Sequence, residues 1–325
     1  MIRRNLILIH RGTEYERDFD ELAKKVNQLE PTITIFSLPA RLKVALPQSD
    51  WMYPTLTVVL QRSFHLPILR GPVLCNYPLG KFEQQKLFRS HGLPTPPAVP
   101  FSFGMPLDPI LFCDFVLLKP GDLKRTSKGE GVFLFRRKRL LTLRKQDFPP
   151  GHALRSGSYI AQRFIDTGPF PCHYRVQTMF GRVLYCWRQT LNTERPPLDA
   201  PDHEIEGAVV ASQGGQRNFM LSAEEDVLNL AAAVHRALPD IPILGVDIVR
   251  DHLSRRLYVL ECNAGGNTWH FSSEMGATCR LSLGSYPPCN AEEADARGRL
   301  ALINQFGAFD RAAEVLVEET LERAE

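Results

Sequence analysis

Two apolar runs late in the chain, Ile243 to Val249 and Leu257 to Leu260, flank a polar segment with no helical period, and they constrain the fold most. They read as the paired strands of a β-hairpin. Asp247 and Glu261 are equally far from Ser254. A loop centred there sets the two carboxylates opposite each other across the ladder, pointing to one face. Asn263, two residues on, shares that face. Two carboxylates opposed so closely repel unless a cation lies between them, and hard oxygen donors of this sort suit Mg²⁺ shared with nucleotide phosphates. The alternative is an exposed hairpin whose acids are simply solvated.

The start of the chain points to a different kind of unit. Leu6 to Ile9 reads as a buried first strand, Glu14 to Leu29 carries Phe19, Leu22, Val26 and Leu29 at helical spacing, and Ile33 to Leu38 is a second apolar run. Strand, helix and strand in succession suggest an α/β unit with a parallel sheet. A further strand is expected at Leu56 to Leu60, another at Pro72 to Tyr77, and a helix over Lys81 to His91, stopped by Gly92 and Pro94. The proline-rich run Leu93 to Pro100 cannot continue a helix and marks a boundary between domains. At 325 residues, 44% hydrophobic and 23% charged, the chain is long enough for two or three domains of ordinary globular composition. A net charge of +3 does not by itself imply nucleic acid. The seven scattered cysteines form no CxxC pair and suit reduced thiols in a cytoplasm. The apolar run after the basic start is too short for a signal or a membrane span.

Beyond the boundary, Phe115 to Leu118 reads as a strand ending in Lys119, followed by a loop with Gly121, Gly129 and Gly131 and the charges of Lys119, Lys124 and Lys128. Such a loop lets backbone amides approach a phosphate, and it also reads as a plain surface turn; its spacing is not that of a Walker loop. The basic run Arg136 to Arg139, extending to Arg144 and Lys145, is a solvated face or a surface for an acidic partner. Without interleaved aromatics it is not read as a nucleic-acid site. Tyr159 to Ile165 is expected as a strand, and Tyr174 to Met179 with Arg182 to Trp187 as a hairpin turned at Phe180 and Gly181. Arg175 within that hairpin and Arg188 just after it read either as surface residues with packed stems or as guanidiniums turned into a cleft, where they suit phosphate or carboxylate. Ser222 and Glu225 form a capping box for a helix to Leu238, and the tail from Ala291 reads as helix packed on the sheet.

Taken together, the order of these features resembles the ATP-grasp superfamily over nearly the whole chain. The segment NYPLGKFEQQKLFRSHGLPTPP, the LLKP strand before the GEGV loop, AQRFI, and GVDIV followed by LECN carry the resemblance. It implies an α/β and α+β fold: a Rossmann-like pre-ATP-grasp domain over 1–92, a small lid subdomain over 93–163, and a large subdomain over 164–325 with the metal site and C-terminal helix. Two α+β lobes would enclose ATP. The resemblance makes Lys81, Lys119 and Lys128 phosphate contacts, Gln162, Arg163 and Ile165 the adenine-reading hinge, and Asp166 a ribose contact. Asp247, Glu261 and Asn263 become the Mg²⁺ ligands, with Mn²⁺ as the substitute ion, and Arg175 and Arg188 hold an acyl phosphate. The chain departs from the pattern at Gln162, where a glutamate is frequent, at His173, where an acid is frequent, and at Gly245, where D-alanine ligases carry arginine. The ASQGG loop looks instead like the branch of glutathione synthetase and ribosomal-protein glutamate ligases.

The activity implied is an ADP-forming carboxylate–amine or carboxylate–thiol ligase, with Glu261 at the catalytic metal. Its substrates would be small carboxylates and amines, or a peptide or carrier. Asn267, Trp269 and His270 would line the acceptor pocket or simply pack locally. A phosphotransferase on the same scaffold and a nucleotide-binding module without turnover are the alternatives. Neither nucleic acid nor membrane is expected as a partner, and a homodimer is expected from family analogy alone.

Overall fold

The computed structural model describes residues 2–39, 52–60, 71–77, 79–121, 131–210, 216–265 and 269–324. The first sheet is parallel and four-stranded, ordered β2-β1-β3-β4, from β1 (Arg4–His10), β2 (Ile33–Pro39), β3 (Thr55–Val59) and β4 (Val73–Cys75). Between β1 and β2 runs α1 (Thr13–Leu29), whose Phe19, Leu22 and Val26 are completely buried. Burying each such side chain contributes about 1.5–3 kcal/mol, so this face holds the helix in place more than its polar sequence does. Next, α2 (Lys81–Ser90) ends where the Leu93 amide donates back to the Phe88 carbonyl and Gly92 takes φ +66°.

A second, antiparallel sheet is ordered β5-β8-β6-β7: β5 (Ala98–Pro100), β6 (Phe115–Pro120), β7 (Phe133–Arg136) and β8 (Tyr159–Arg163). Short helices α3 (Pro109–Phe112) and α4 (Ala153–Ser156) cover one face, packing Phe112 and Leu154 on Val116, Leu118 and Phe135. By strand alternation the opposite face presents Phe115, Leu117 and Lys119, with Gln162 across from Leu117.

The third sheet, β11-β10-β9-β12-β13, holds the predicted hairpins. Its strands are β9 (Cys172–Met179), β10 (Arg182–Leu191), β11 (Arg217–Leu221), β12 (Ile243–Arg250) and β13 (Leu257–Ala264). Phe180 and Gly181 both take positive φ, 44° and 83°, as a two-residue hairpin turn matched to strand twist requires. A short helix α5 (Asp202–Glu206) interrupts the connection from β10 to β11, and α6 (Glu225–Arg236) buries Val227, Ala231 and Val234 against Val176, Val246 and Ile248. The expected capping box at Ser222 is not formed. Glu224 is the N-cap and its carboxylate is taken instead by the Tyr174 hydroxyl and Arg250, while Ser222 Oγ pairs with Glu224.

The tail comprises α7 (Ala277–Leu283), α8 (Ala291–Phe306) and α9 (Ala308–Arg323). The sequence suggests one helical tail from Ala291; Gly307, at φ +67°, divides it in two. α9 packs both on α1 and on β10, so one hydrophobic core runs from the first sheet to the third. Among the described residues no helix is long and apolar enough to cross a membrane.

Candidate active site

Asp247 and Glu261 do face each other across β12 and β13, with Gly245 opposite Asn263. The Asp247 carboxylate is bound bidentately by the neighbouring strand: Arg175 Nε donates to Oδ1 at 2.5 Å and Nη2 to Oδ2 at 2.8 Å. Asn263 Nδ2 also donates to Oδ2, at 3.1 Å. Burial pulls the Arg175 pKa down, but the Asp247 charge and hydrogen bonds win and hold it above the ordinary guanidinium value. His173, on the same face, has Nε2 3.7 Å from Asp247 Oδ1. That is not a charged pair, because burial and then the positive charge of Arg175 push His173 down to about 3, leaving it neutral at pH 7.

Two lysines reach this face from other parts of the chain. Lys81, the first residue of α2, has Nζ 3.8 Å from Glu261 Oε2. Lys119, near the end of β6, is lowered to about 8 by burial and then by the charge of Lys81, with Glu261 and Asp247 acting the other way. The loop glycines Gly121 and Gly131 flank a stretch outside the described residues, and Lys124 and Lys128 lie in that stretch.

What places Lys81 is a device that sequence reading missed. β13 is an edge strand, and α2 covers it with glutamine amides that imitate a partner strand. Gln84 Nε2 donates to the Cys262 carbonyl at 3.0 Å while its Oε1 accepts from the Cys262 amide at 2.9 Å. Gln85 Nε2 donates to Leu260 O at 3.3 Å, and Thr95 Oγ1 donates to Gln85 Oε1 and to Val259 O. Both glutamines are buried, which the mostly polar sequence of the helix does not announce.

At the hinge, Gln162 is buried and its Oε1 has no hydrogen-bond partner among the described residues; the same holds for Arg163 Nε. A buried acceptor without a donor is costly, and an exocyclic amino group of a base would satisfy it. Ile165 is buried beside them. Asp166 is committed to structure through Oδ1, which accepts from Arg195 at 2.7 Å and from the Gly168 amide at 2.9 Å.

One expectation changes, and one open alternative is decided. Arg188 pairs with Tyr174, whereas Arg175 pairs with Trp187, so Arg188 lies on the opposite face from Asp247 and is not brought to the site. Trp269 is completely buried, its indole donates to Asp18 at 2.9 Å, and it packs between Phe19, Phe271 and Phe309; it does not line a pocket. His270 does approach the site, stacked on Tyr185 and Trp187, with its Nδ1 buried and without a partner among the described residues. Asn267 and the ASQGG loop residues 211–215 lie outside the described residues.

Among the described residues no three His, Cys, Asp or Glu side chains gather into a metal-sized cluster. The candidate centre is therefore the mixed set of two carboxylates and one amide. Those donors fit a hard divalent cation, since the amide of Asn263 presents oxygen instead of nitrogen when turned over. With Arg175, Lys81 and Lys119 against Asp247 and Glu261, cations outnumber anions on this face, and the excess suits polyphosphate.

No family model and no curated protein matches the chain. Among solved structures, it is similar to a D-alanine–D-alanine ligase from Bacillus anthracis, at 14% identity over 99% of this chain and 98% of that one, with a TM-score of 0.45. It is similar to the macrocyclase MdnC from Microcystis aeruginosa, bound with its precursor peptide, at 10% identity over 97% and 99% of the chains and a TM-score of 0.46. It is also similar to the ATP-grasp ligase PsnB, complexed with a precursor variant, Mg and ADP, at 12% identity over 94% and 100% and a TM-score of 0.46.

Proposed function

We propose that the chain is an ATP-grasp ligase: an ADP-forming enzyme that joins a carboxylate to an amine or thiol through an acyl phosphate. The observation that carries the reading is the convergence of Lys81 from α2 and Lys119 from β6 on the face that presents Asp247, Glu261 and Asn263. Nothing in the packing of a plain hairpin calls for two lysines to be gathered there, one of them half-buried and desolvated at a cost to its own charge.

In this reading the base lies against the buried Gln162 and Ile165, and Gln162 Oε1, without a partner among the described residues, accepts its amino hydrogen. Lys81 and Lys119 neutralise the phosphates. Asp247, Glu261 and Asn263 would hold Mg²⁺, with Mn²⁺ able to replace it, and the ion when bound would offset phosphate charge and align the γ-phosphate with the attacking carboxylate. Arg175, immobilised by Asp247, is a preorganised donor for the acyl phosphate and needs no rearrangement as charge develops. The acid and amine are small molecules in this proposal, with a peptide as the other acceptor class. All seven cysteines are free, which suits a reducing compartment such as the cytoplasm.

The test is release of ADP against AMP from Mg-ATP with a mixed pool of carboxylates and amines, for the wild type and Glu261→Ala. ADP that depends on the pool and disappears in the variant is expected, with product mass separating ligation from phosphoryl transfer. AMP release, or full activity in Glu261→Ala, would sink the assignment.

A further inference from the structure

The basic run Arg136 to Arg139 takes no part in the site described above, yet it is not a free surface. Residues 192–210 leave the third sheet at the end of β10 and cross to the second sheet, where α5 settles on β7. Arg136 Nε donates to Asp202 Oδ1 at 2.9 Å, and its Nη2 to the Ala200 carbonyl at 2.8 Å. Arg139 Nε lies 3.4 Å from Glu206 Oε1. Under these pairs Ile205, fully buried, packs with Leu117 and Leu134, and Leu198, Ala200 and Val210 extend the seam. At the near end of the crossing, Arg195 is tied to Asp166, just past the hinge residues of β8.

The face that receives this segment matters. Leu117 alternates with Lys119 on β6 and lies across from Gln162 on β8, so the crossing grips the same side of the second sheet that presents the base and phosphate contacts. It is continuous in chain with β10, which neighbours the strand of Arg175. One segment therefore spans both walls of the cleft.

We propose that residues 192–210 are a strap that sets the separation of the two nucleotide-binding sheets, with Arg136 and Asp202 as its latch and Arg136 a positioning residue for bound nucleotide. This rests on the nucleotide reading above. The latch pair is half-exposed, so breaking it loosens the strap without threatening the fold. Loosening lets the second sheet swing away, and nucleotide leaves faster.

The experiment measures dissociation of a fluorescent Mg-ADP analogue from the wild type, Arg136→Ala, Asp202→Ala, the exchange Arg136→Asp with Asp202→Arg, and Lys119→Ala. Each latch single variant is expected to release nucleotide roughly three- to tenfold faster, the exchange to return within about twofold of wild type, and Lys119→Ala to bind weakly throughout. A Glu-specific protease should cut after Glu204 and Glu206 sooner in the single variants. Unchanged dissociation in the single variants, with wild type binding normally, overturns the strap alone. Faster release that the exchange fails to restore also overturns it, since the effect then does not run through the pair. No binding by wild type overturns the nucleotide reading and the strap with it.

Discussion

Removing the carboxylate of Asp247 should cost much more stability than removing that of Glu261, although both face the same centre. The Arg175 and Asp247 side chains are only 11% and 9% exposed. Asp247→Ala leaves a buried guanidinium without its bidentate partner and takes the Asn263 amide's acceptor as well. Loss of one member of a buried pair costs about 3–5 kcal/mol. With an unfolding entropy of about 2.1 cal/mol/K per residue, a chain of 325 residues loses about 1.5 °C of Tm per kcal/mol, so a fall of roughly 4–8 °C is expected. Glu261 is a third exposed and its contact with Lys81 is long, 3.8 Å, so Glu261→Ala should cost at most about 1 kcal/mol. Thermal unfolding of both variants checks this, with Arg175→Met/Asp247→Leu as the decisive third. Taking away both charges at once leaves nothing buried and unpaired, and most of the lost stability should return. Equal melting of Asp247→Ala and Glu261→Ala, or a double variant worse than Asp247→Ala, would refute the buried pair.

Two further outcomes follow from groups outside the centre. Gln84→Leu leaves the amide and carbonyl of Cys262 without partners at the covered edge of β13, a loss on the order of 2–4 kcal/mol, and frees Lys81 from its position; melting should fall and turnover should fall with it, and a variant with normal turnover would show that α2 docking does not place Lys81. His235 is buried, paired with Thr178 Oγ1, and lowered to about 4 by burial. Between pH 6.5 and 4 the unfolded chain binds a proton there that the native chain does not, so stability falls as pH falls through that window, by an amount on the order of 3 kcal/mol for this group. His235→Phe should flatten the acid limb of urea-unfolding midpoints measured from pH 7 to 4; an unchanged limb would place the acid sensitivity elsewhere, with His173 and His270 the next groups to try.

The first sheet, the hairpins and the two central strands of the second sheet were legible because their apolar patterns match the burial they meet: in β1 the unbroken apolar run Leu6 to Ile9 is buried throughout, as a parallel strand covered on both faces requires, whereas the short edge strands β5 and β7 lie in a proline-rich run and beside a basic one and carry no such pattern. The register at Asp247 was reached by a route that the structure qualifies. Arg250 pairs with Leu257 and Ile248 with Val259, so the tip is centred between Leu253 and Ser254, half a residue from where equal spacing puts it. Continued without a break, that register would set Asp247 against Leu260 and turn Glu261 and Asn263 to the other face. A bulge between Asp247 and Ile248 takes up the extra residue and restores the pair. No residue in the run is a glycine or proline that would announce it, so equal spacing from Ser254 reached the right pair while missing the bulge that makes it. The same limit explains Arg188: with its strand correctly read as β, only the irregularity between Val183 and Tyr185 decides which face it takes, and it falls away from the carboxylates. What fixes these faces is tertiary. The third sheet must bury Val176, Val246 and Ile248 under α6, and once that face is committed, Arg175 has the other, where a carboxylate is the partner that lets a guanidinium stay buried.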